Sequence, residues 1–166
     1  MSKKEAKKLS QSEIQAESQR ILKKMKDEGL TIQQATGISD AFLEEMYSLA
    51  HAHYDKGNHK ESLSLFQFLA GCAPNSYKFM LGLAANLHQM GEYQEAFNGF
   101  TIALKLDDSN PLPIYYMADC LLRLGNEKDA IPLFEIMIEA AEHAPEYKEF
   151  GAKSKLIVEG FKKRQS

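Results

Sequence analysis

The sequence repeats itself with a period of 34 residues. Gly57, Gly91 and Gly125 stand 34 positions apart, and other positions keep the same register. Alignment on these glycines gives three segments, 43–76, 77–110 and 111–144. All three have an alanine at the eighth position, a small residue at the twentieth and a phenylalanine at the twenty-fourth. A repeat of this length is a unit that cannot bury its apolar face alone. The sequence therefore predicts three stacked units.

Each unit is predicted to be a pair of antiparallel helices. The glycine lies between two apolar-periodic stretches, where a residue without Cβ ends a helix in the left-handed region at low cost. Small residues at the eighth and twentieth positions predict close contact between the paired helices. These residues are Ala50 with Ser62, Ala84 with Ala96, and Ala118 with Ala130. Phe66, Phe100 and Phe134 are expected to fill the space between neighbouring units.

The pattern resembles the tetratricopeptide repeat, a helix-turn-helix unit of the same length, over residues 43–144. The resemblance implies an all-α fold in which three tandem hairpins, the third covering 111–144, form a right-handed superhelix. Before them, residues 11–42 are predicted to form an N-terminal helical segment, and residues 1–10 to be disordered. After them, residues 145–166 are predicted to form a C-terminal capping helix and tail.

The two end segments carry apolar stripes. The C-terminal stripe is predicted from Tyr147, Phe150, Ile157 and Phe161. The N-terminal stripe is narrow and lies in an otherwise polar helix that ends at Gly29. It suits a partner helix or a homodimer seam as well as the chain's own core, and its residues are Ile14, Ile21, Leu22 and Met25.

A peptide-binding groove is implied by the repeat resemblance. In this repeat family the second, fifth, ninth and twelfth positions of each unit usually line a concave face. The candidate residues here are Tyr47, His51, Tyr54, Lys78, Leu81, Ala85, His88, Tyr115, Asp119 and Leu122. Most of them are aromatic or aliphatic. Some tetratricopeptide proteins clamp an acidic C-terminus with Lys, Arg and Asn at fixed positions, and here those positions hold Tyr47, His51, Gly82, Leu112 and Tyr116. We therefore expect an extended ligand with spaced apolar side chains.

A closer resemblance covers residues 28 to about 160. Its marks are "GIS" at 37–39, "YSLA" at 47–50, "FMLGLAA" at 79–85 and "ADCLLRLG" at 118–125. In these marks the chain is similar to the class II chaperones of bacterial type III secretion. The resemblance implies a cytoplasmic bacterial protein that keeps hydrophobic translocators soluble and secretion-competent, holds an extended client segment in the groove and forms homodimers through its N-terminal helices.

Other functions find little support in the sequence. The net charge of -3 gives no basic face for nucleic acid, and no apolar run approaches the roughly 20 residues needed for stable membrane insertion. His51 and His53 point about 200° apart on a helix and do not share a metal ion. Cys72 and Cys120 suit buried reduced thiols. No nucleotide, hydrolase or metalloprotease motif is present, so we expect neither an enzyme nor a cofactor.

Two non-catalytic functions remain open from the sequence. The first is the translocator chaperone. The second is a tetratricopeptide scaffold or effector chaperone that joins soluble proteins of a secretion system. They differ in their clients, because a translocator carries one or two apolar spans and would aggregate without cover.

Overall fold

A computed structural model of the protein describes residues 10–165. The prediction of disorder for residues 1–10 falls on residues 1–9, which lie outside the described part, and on Ser10, which caps the first helix. Over the described residues the all-α prediction is confirmed. The helices are α1 (Gln11–Glu28), α2 (Ile32–Thr36), α3 (Asp40–Asp55), α4 (His59–Cys72), α5 (Tyr77–Gln89), α6 (Tyr93–Leu106), α7 (Leu112–Arg123), α8 (Glu127–His143) and α9 (Lys148–Gln165), with a 3-10 turn at Pro145–Tyr147.

The helices from α3 to α8 form three consecutive hairpins. The connecting glycines Gly57, Gly91 and Gly125 have φ of 76°, 82° and 81°, so the predicted left-handed turns are confirmed. The first hairpin begins before the predicted start at residue 43. Ser39 caps α3 there, since its hydroxyl accepts a hydrogen bond from the Phe42 amide at 3.2 Å.

Small residues bring the two helices of each hairpin together, as predicted. All six residues at the eighth and twentieth positions are fully buried. In the first hairpin the Ser62 hydroxyl donates a hydrogen bond of 2.8 Å to the Ala50 carbonyl, which satisfies a buried polar group at the contact. In the second, a Cβ added to Gly99 would lie 2.9 Å from the Ala84 Cβ. Larger side chains at these positions would force the helices apart.

The three phenylalanines fill the space between successive units. Phe66, Phe100 and Phe134 are at most 1% exposed. Burying such a side chain contributes about 1.5–3 kcal/mol relative to leaving it in water. Each phenylalanine lies beside the first helix of the following unit, and the residue that it meets there decides whether the groove is open or filled.

The C-terminal helix α9 packs against α8, but with a different stripe from the predicted one. Of the four predicted residues only Phe161 is fully covered, at 4% exposure, whereas Phe150 and Ile157 are half-buried. Tyr147 lies before the helix in the 3-10 turn and donates a hydrogen bond of 3.2 Å to Asn110 Oδ1. The buried stripe consists of Gly151, Ser154, Val158 and Phe161. Its small residues let α9 approach α8 so closely that a Cβ on Gly151 would overlap Ala141.

Candidate functional site

The first helices α3, α5 and α7 form one face of the array, here called the groove face. A cavity of about 120 Å³ opens on it between α3 and α5. Six of the ten predicted groove residues line this cavity: Tyr47, His51, Tyr54, Lys78, Leu81 and Ala85. The sequence interpretation missed two further lining residues, Phe66 and Gly82.

Gly82 makes room for the ring of Phe66 beside the cavity. A Cβ at residue 82 would overlap that ring. The corresponding positions in the first and third units hold Ser48 and Tyr116. The sequence signal that could have found this part of the site was therefore a glycine in mid-helix where the other units carry side chains, since such a glycine often marks a close approach.

The wall of the cavity is aromatic and carries one fixed charge. The Tyr47 ring packs edge-on against Phe66 with centroids 5.9 Å apart, and its hydroxyl shares a hydrogen bond of 3.0 Å with His51 Nε2. The Lys78 ammonium lies 4.8 Å from the centre of the Tyr47 ring and forms an ion pair of 2.5 Å with Glu44. The ammonium thus lies at the rim, while aromatic and aliphatic carbon faces the interior.

Between α5 and α7 the groove face is filled by a polar pair inside an aromatic cluster. Asp119 Oδ2 accepts a hydrogen bond of 2.7 Å from His88 Nε2, and both side chains are about 15% exposed. The His88 hydrogen bond, aided by the charge of Arg123, lowers the pKa of the Asp119 carboxyl against the opposing effect of burial. The His88 ring meets Tyr93 and Tyr116 edge-on, each at 5.5 Å.

The last two predicted groove residues pack inside the third unit instead of lining the cavity. Tyr115 lies between Phe134 and Phe150, with ring centroids 5.9 and 5.0 Å away. Burial raises the pKa of its hydroxyl. Leu122 packs against the cluster that contains Phe134 and Val158. The structure therefore brings six predicted residues together, places His88 and Asp119 in the next gap, and uses Tyr115 and Leu122 to attach α9.

The α1 helix carries the four residues predicted as a dimer seam. In the described part of the chain α1 has no buried residue. Ile14 and Leu22 are 50% and 63% exposed, and Ile21 and Met25 are half-buried. A capping box between Ser10 and Glu13 fixes its start. The helix is thus well formed locally and contacts α2, but none of its stripe residues is fully buried in the single described chain.

The described residues offer little for reactive chemistry. Over residues 10–165 no three His, Cys, Asp or Glu side chains are grouped as metal ligands. Both cysteines are buried free thiols, and burial raises the pKa of Cys120 to about 12 and that of Cys72 in the same direction. Thiols in this state are weak nucleophiles at neutral pH. None of the helices in the described range combines the length and the apolar character that crossing a bilayer requires.

Comparison with known proteins points to one class of protein. A family model described as tetratricopeptide repeat matches residues 87–155. The chain is 30% identical over 134 residues to the low calcium response locus protein H of Yersinia pseudotuberculosis, covering 81% of this chain and 80% of the relative.

Two solved structures share the fold and contain bound client segments. The Yersinia enterocolitica type III secretion chaperone SycD, in complex with a peptide of the translocator YopD, matches with a TM-score of 0.73 and 29% identity. The match covers 78% of this chain and 98% of that one. Pseudomonas aeruginosa PcrH, in complex with the chaperone-binding region of PopD, matches with a TM-score of 0.73, 25% identity and the same coverage of both chains.

Proposed function

The chain belongs to the family of class II type III secretion chaperones, and on that premise we propose that it holds an extended segment of a hydrophobic translocator on its groove face. In this function it keeps the client soluble and competent for secretion in the bacterial cytoplasm. The function is one of binding, without catalysis or a cofactor. The cavity between α3 and α5 is the observation that carries the proposal.

The size and lining of this cavity favour a single apolar side chain as its occupant. Sites for small molecules usually measure about 300–1,000 Å³. A cavity of about 120 Å³ is too small for such a ligand but has room for an aliphatic or proline side chain. Tyr47, Tyr54, Leu81 and Ala85 supply apolar walls, so an aliphatic group is removed from water there.

One such anchor does not supply enough affinity by itself. A fully buried aliphatic side chain contributes about 1.5–3 kcal/mol, whereas micromolar binding requires about 8 kcal/mol after the cost of ordering the ligand. Three or four anchors are needed. The client segment is therefore extended along the groove face, with its best-enclosed side chain between α3 and α5.

The two structural relatives support this proposal independently of the cavity. SycD and PcrH, which share the fold, were each crystallised with a segment of a translocator. The first hairpin of this chain, together with α5, offers an apolar site for such a segment. We assign the same class of client to this chain.

We also propose that two copies of the chain form a homodimer through the α1 stripe, which consists of Ile14, Ile21, Leu22 and Met25.

Affinity purification tests the proposed client class. Tagged chain is isolated from the bacterium that produces it, and bound proteins are identified by mass spectrometry. We expect a protein with one or two apolar spans. Recovery of soluble secretion-system proteins alone would favour the scaffold or effector-chaperone function instead.

A matched pair of tyrosine variants locates the binding site in the same experiment. Tyr54→Ala removes a wall of the cavity, whereas Tyr93→Ala removes a half-buried tyrosine beside His88, outside the cavity. Tyr54 is preferable to Tyr47, because Tyr47 also packs against Phe66 and Phe79 and its loss would destabilise the first hairpin. We expect client recovery to fall with Tyr54→Ala and to persist with Tyr93→Ala.

A further inference from the structure

Two cavities lie in line along the crevice between α3 and α5. The first, of about 120 Å³, has the aromatic and aliphatic walls around Tyr47 and is called here the apolar cavity. The second, of about 200 Å³, lies nearer the starts of the same two helices and is called the polar cavity. Its walls include these side chains of α3 and α5: Asp40, Leu43, Glu44, Ser76, Lys78 and Phe79. A segment that follows the crevice meets both cavities.

Lys78 borders both cavities. Its ammonium lies 4.8 Å from the centre of the Tyr47 ring, in the wall of the apolar cavity. It lies 5.4 Å from the centre of the Phe79 ring, in the wall of the polar cavity. Cation–π attraction to the two rings favours this position. A segment that runs from one cavity into the other therefore passes beside the Lys78 ammonium.

The ion pair between Lys78 and Glu44 adds little to the stability of the fold. The two residues occupy the second position of successive units, and their side chains are 40% and 56% exposed. Exposed pairs of this kind contribute about 0–1 kcal/mol. An ammonium has three N–H donors, and Glu44 accepts one of them. Two donors of Lys78 thus remain for a ligand, on a side chain that the fold can lose without unfolding.

An extended client needs hydrogen-bond partners in the crevice. Its backbone carbonyls leave water there, and each one that finds no donor weakens binding. The Tyr47 hydroxyl and His51 Nε2 are bonded to each other, whereas Lys78 has donors to spare. Asp40 and Glu44 border the polar cavity, and their carboxylates oppose an acidic client group. A neutral carbonyl oxygen is therefore the acceptor that suits Lys78.

We propose that Lys78 donates a hydrogen bond to a backbone carbonyl of the client, at the point where the segment passes from the apolar cavity into the polar cavity. The two cavities are centred roughly two turns apart along α3, or about 11 Å, which an extended chain spans in about three or four residues. The inference rests on the proposed function, to which it adds the residue that positions the client. Since every residue carries a carbonyl, Lys78 fixes the register of the segment without selecting its side chains.

A charge-removing variant tests whether Lys78 contributes to binding. Lys78→Met keeps an unbranched apolar side chain and removes the donors. Lys105→Met removes the same charge from an exposed position of α6, outside both cavities. Each full-length variant is titrated by calorimetry with the translocator segment that co-purifies with the chain. We expect Lys78→Met to weaken binding roughly 10-fold and Lys105→Met to leave it unchanged, with the same helical signal for both.

Ester substitution in the client tests whether the acceptor is a backbone carbonyl. Synthetic versions of the segment each carry one ester in place of an amide, which leaves the carbonyl in position but makes it a weaker acceptor. One ester, within four residues of the main apolar anchor, should weaken binding to the unmodified chain roughly fivefold. The same ester should have little further effect on Lys78→Met, because the two changes remove one interaction. A purely structural role of Lys78 would couple to no single ester.

The outcomes separate this inference from the proposed function. If the segment binds Lys78→Met as tightly as the unmodified chain, or if no ester couples to that variant, the assignment of Lys78 is wrong while client binding stands. A loss that disappears at high salt and couples to no ester would instead indicate an acidic client side chain as the partner of Lys78, and would also overturn the proposal. Failure to recover any translocator would overturn both.

Discussion

The two gaps between the first helices of the three hairpins are built from equivalent positions, yet one is open and the other is filled. In the gap between α3 and α5, Phe66 meets Gly82 and the cavity remains. In the gap between α5 and α7, Phe100 stacks on Tyr116 with centroids 5.2 Å apart. A single position of the repeat therefore decides which of the two gaps keeps a cavity.

Neighbouring positions strengthen the same contrast. Ala85 lines the open gap, whereas the filled gap has Asp119 at the equivalent place, bound to His88. Phe150 of α9 is the residue equivalent to Gly82 and Tyr116 in the 34-residue period. Its ring packs against Tyr115 and Tyr116 and so covers the gap between α7 and α9. The accessible apolar cavity on the groove face thus lies beside the first hairpin, whereas packed side chains fill the later gaps and stabilise the fold.

Tyr116→Ala should have the largest effect on the filled gap. It removes the ring stacked on Phe100 and facing His88, and large-to-small changes of buried aromatic residues cost about 3–5 kcal/mol. Because Tyr116 is half-buried, we expect a loss of roughly 2–4 kcal/mol in the free energy of unfolding. Urea denaturation followed by circular dichroism measures it. A loss close to zero would show that the stack does not hold the gap closed.

Gly82→Ala should have the next largest effect, in the open gap. The added Cβ overlaps the Phe66 ring, so that ring or the α5 backbone must shift. Overpacking of this kind costs roughly 1–3 kcal/mol. The control Gly160→Ala adds a Cβ where nothing lies within 4 Å, and it should not destabilise the chain. Equal stability of the two variants would contradict the close approach.

Asp119→Asn should have the smallest effect and the clearest pH dependence. The folded chain lowers the pKa of Asp119 from its ordinary value of 3.8, so the carboxylate stabilises the fold above that pH and this contribution is lost as the pH falls through the lowered value. We expect the variant to lose about 1–2 kcal/mol at pH 7. The difference from the unmodified chain should shrink below pH 3.8. A difference that is constant with pH would contradict a stabilising Asp119 carboxylate.

Periodicity predicted the parts of the molecule that repeat. The turn glycines, the buried small pairs and the buried phenylalanines follow from spacing alone, since each recurs at the same position of all three units. The open gap was only partly predictable: six lining residues follow from the family pattern, but Gly82 is an exception within the repeat. Its effect depends on how closely α5 approaches Phe66, which is a matter of three-dimensional packing.

The ends of the array were harder to predict because they lack a neighbouring unit. The C-terminal stripe was assigned to large residues such as Tyr147 and Phe150, whereas α9 packs with the small residues Gly151 and Ser154. Hydrophobicity identifies a helix face that prefers burial, but it does not show that a close helix contact selects small residues.

The proposed client binding depends most on whether the open gap accepts a client side chain. Ala85→Phe should fill the cavity, and Ala41→Phe places the same ring at an exposed position of α3 as a control. Binding is measured by titrating each full-length variant with the translocator segment identified by the purification. We expect a loss of affinity of roughly tenfold or more for Ala85→Phe, corresponding to one lost apolar anchor, and unchanged affinity for Ala41→Phe. Equal affinity for the two variants, with both folded, would contradict it.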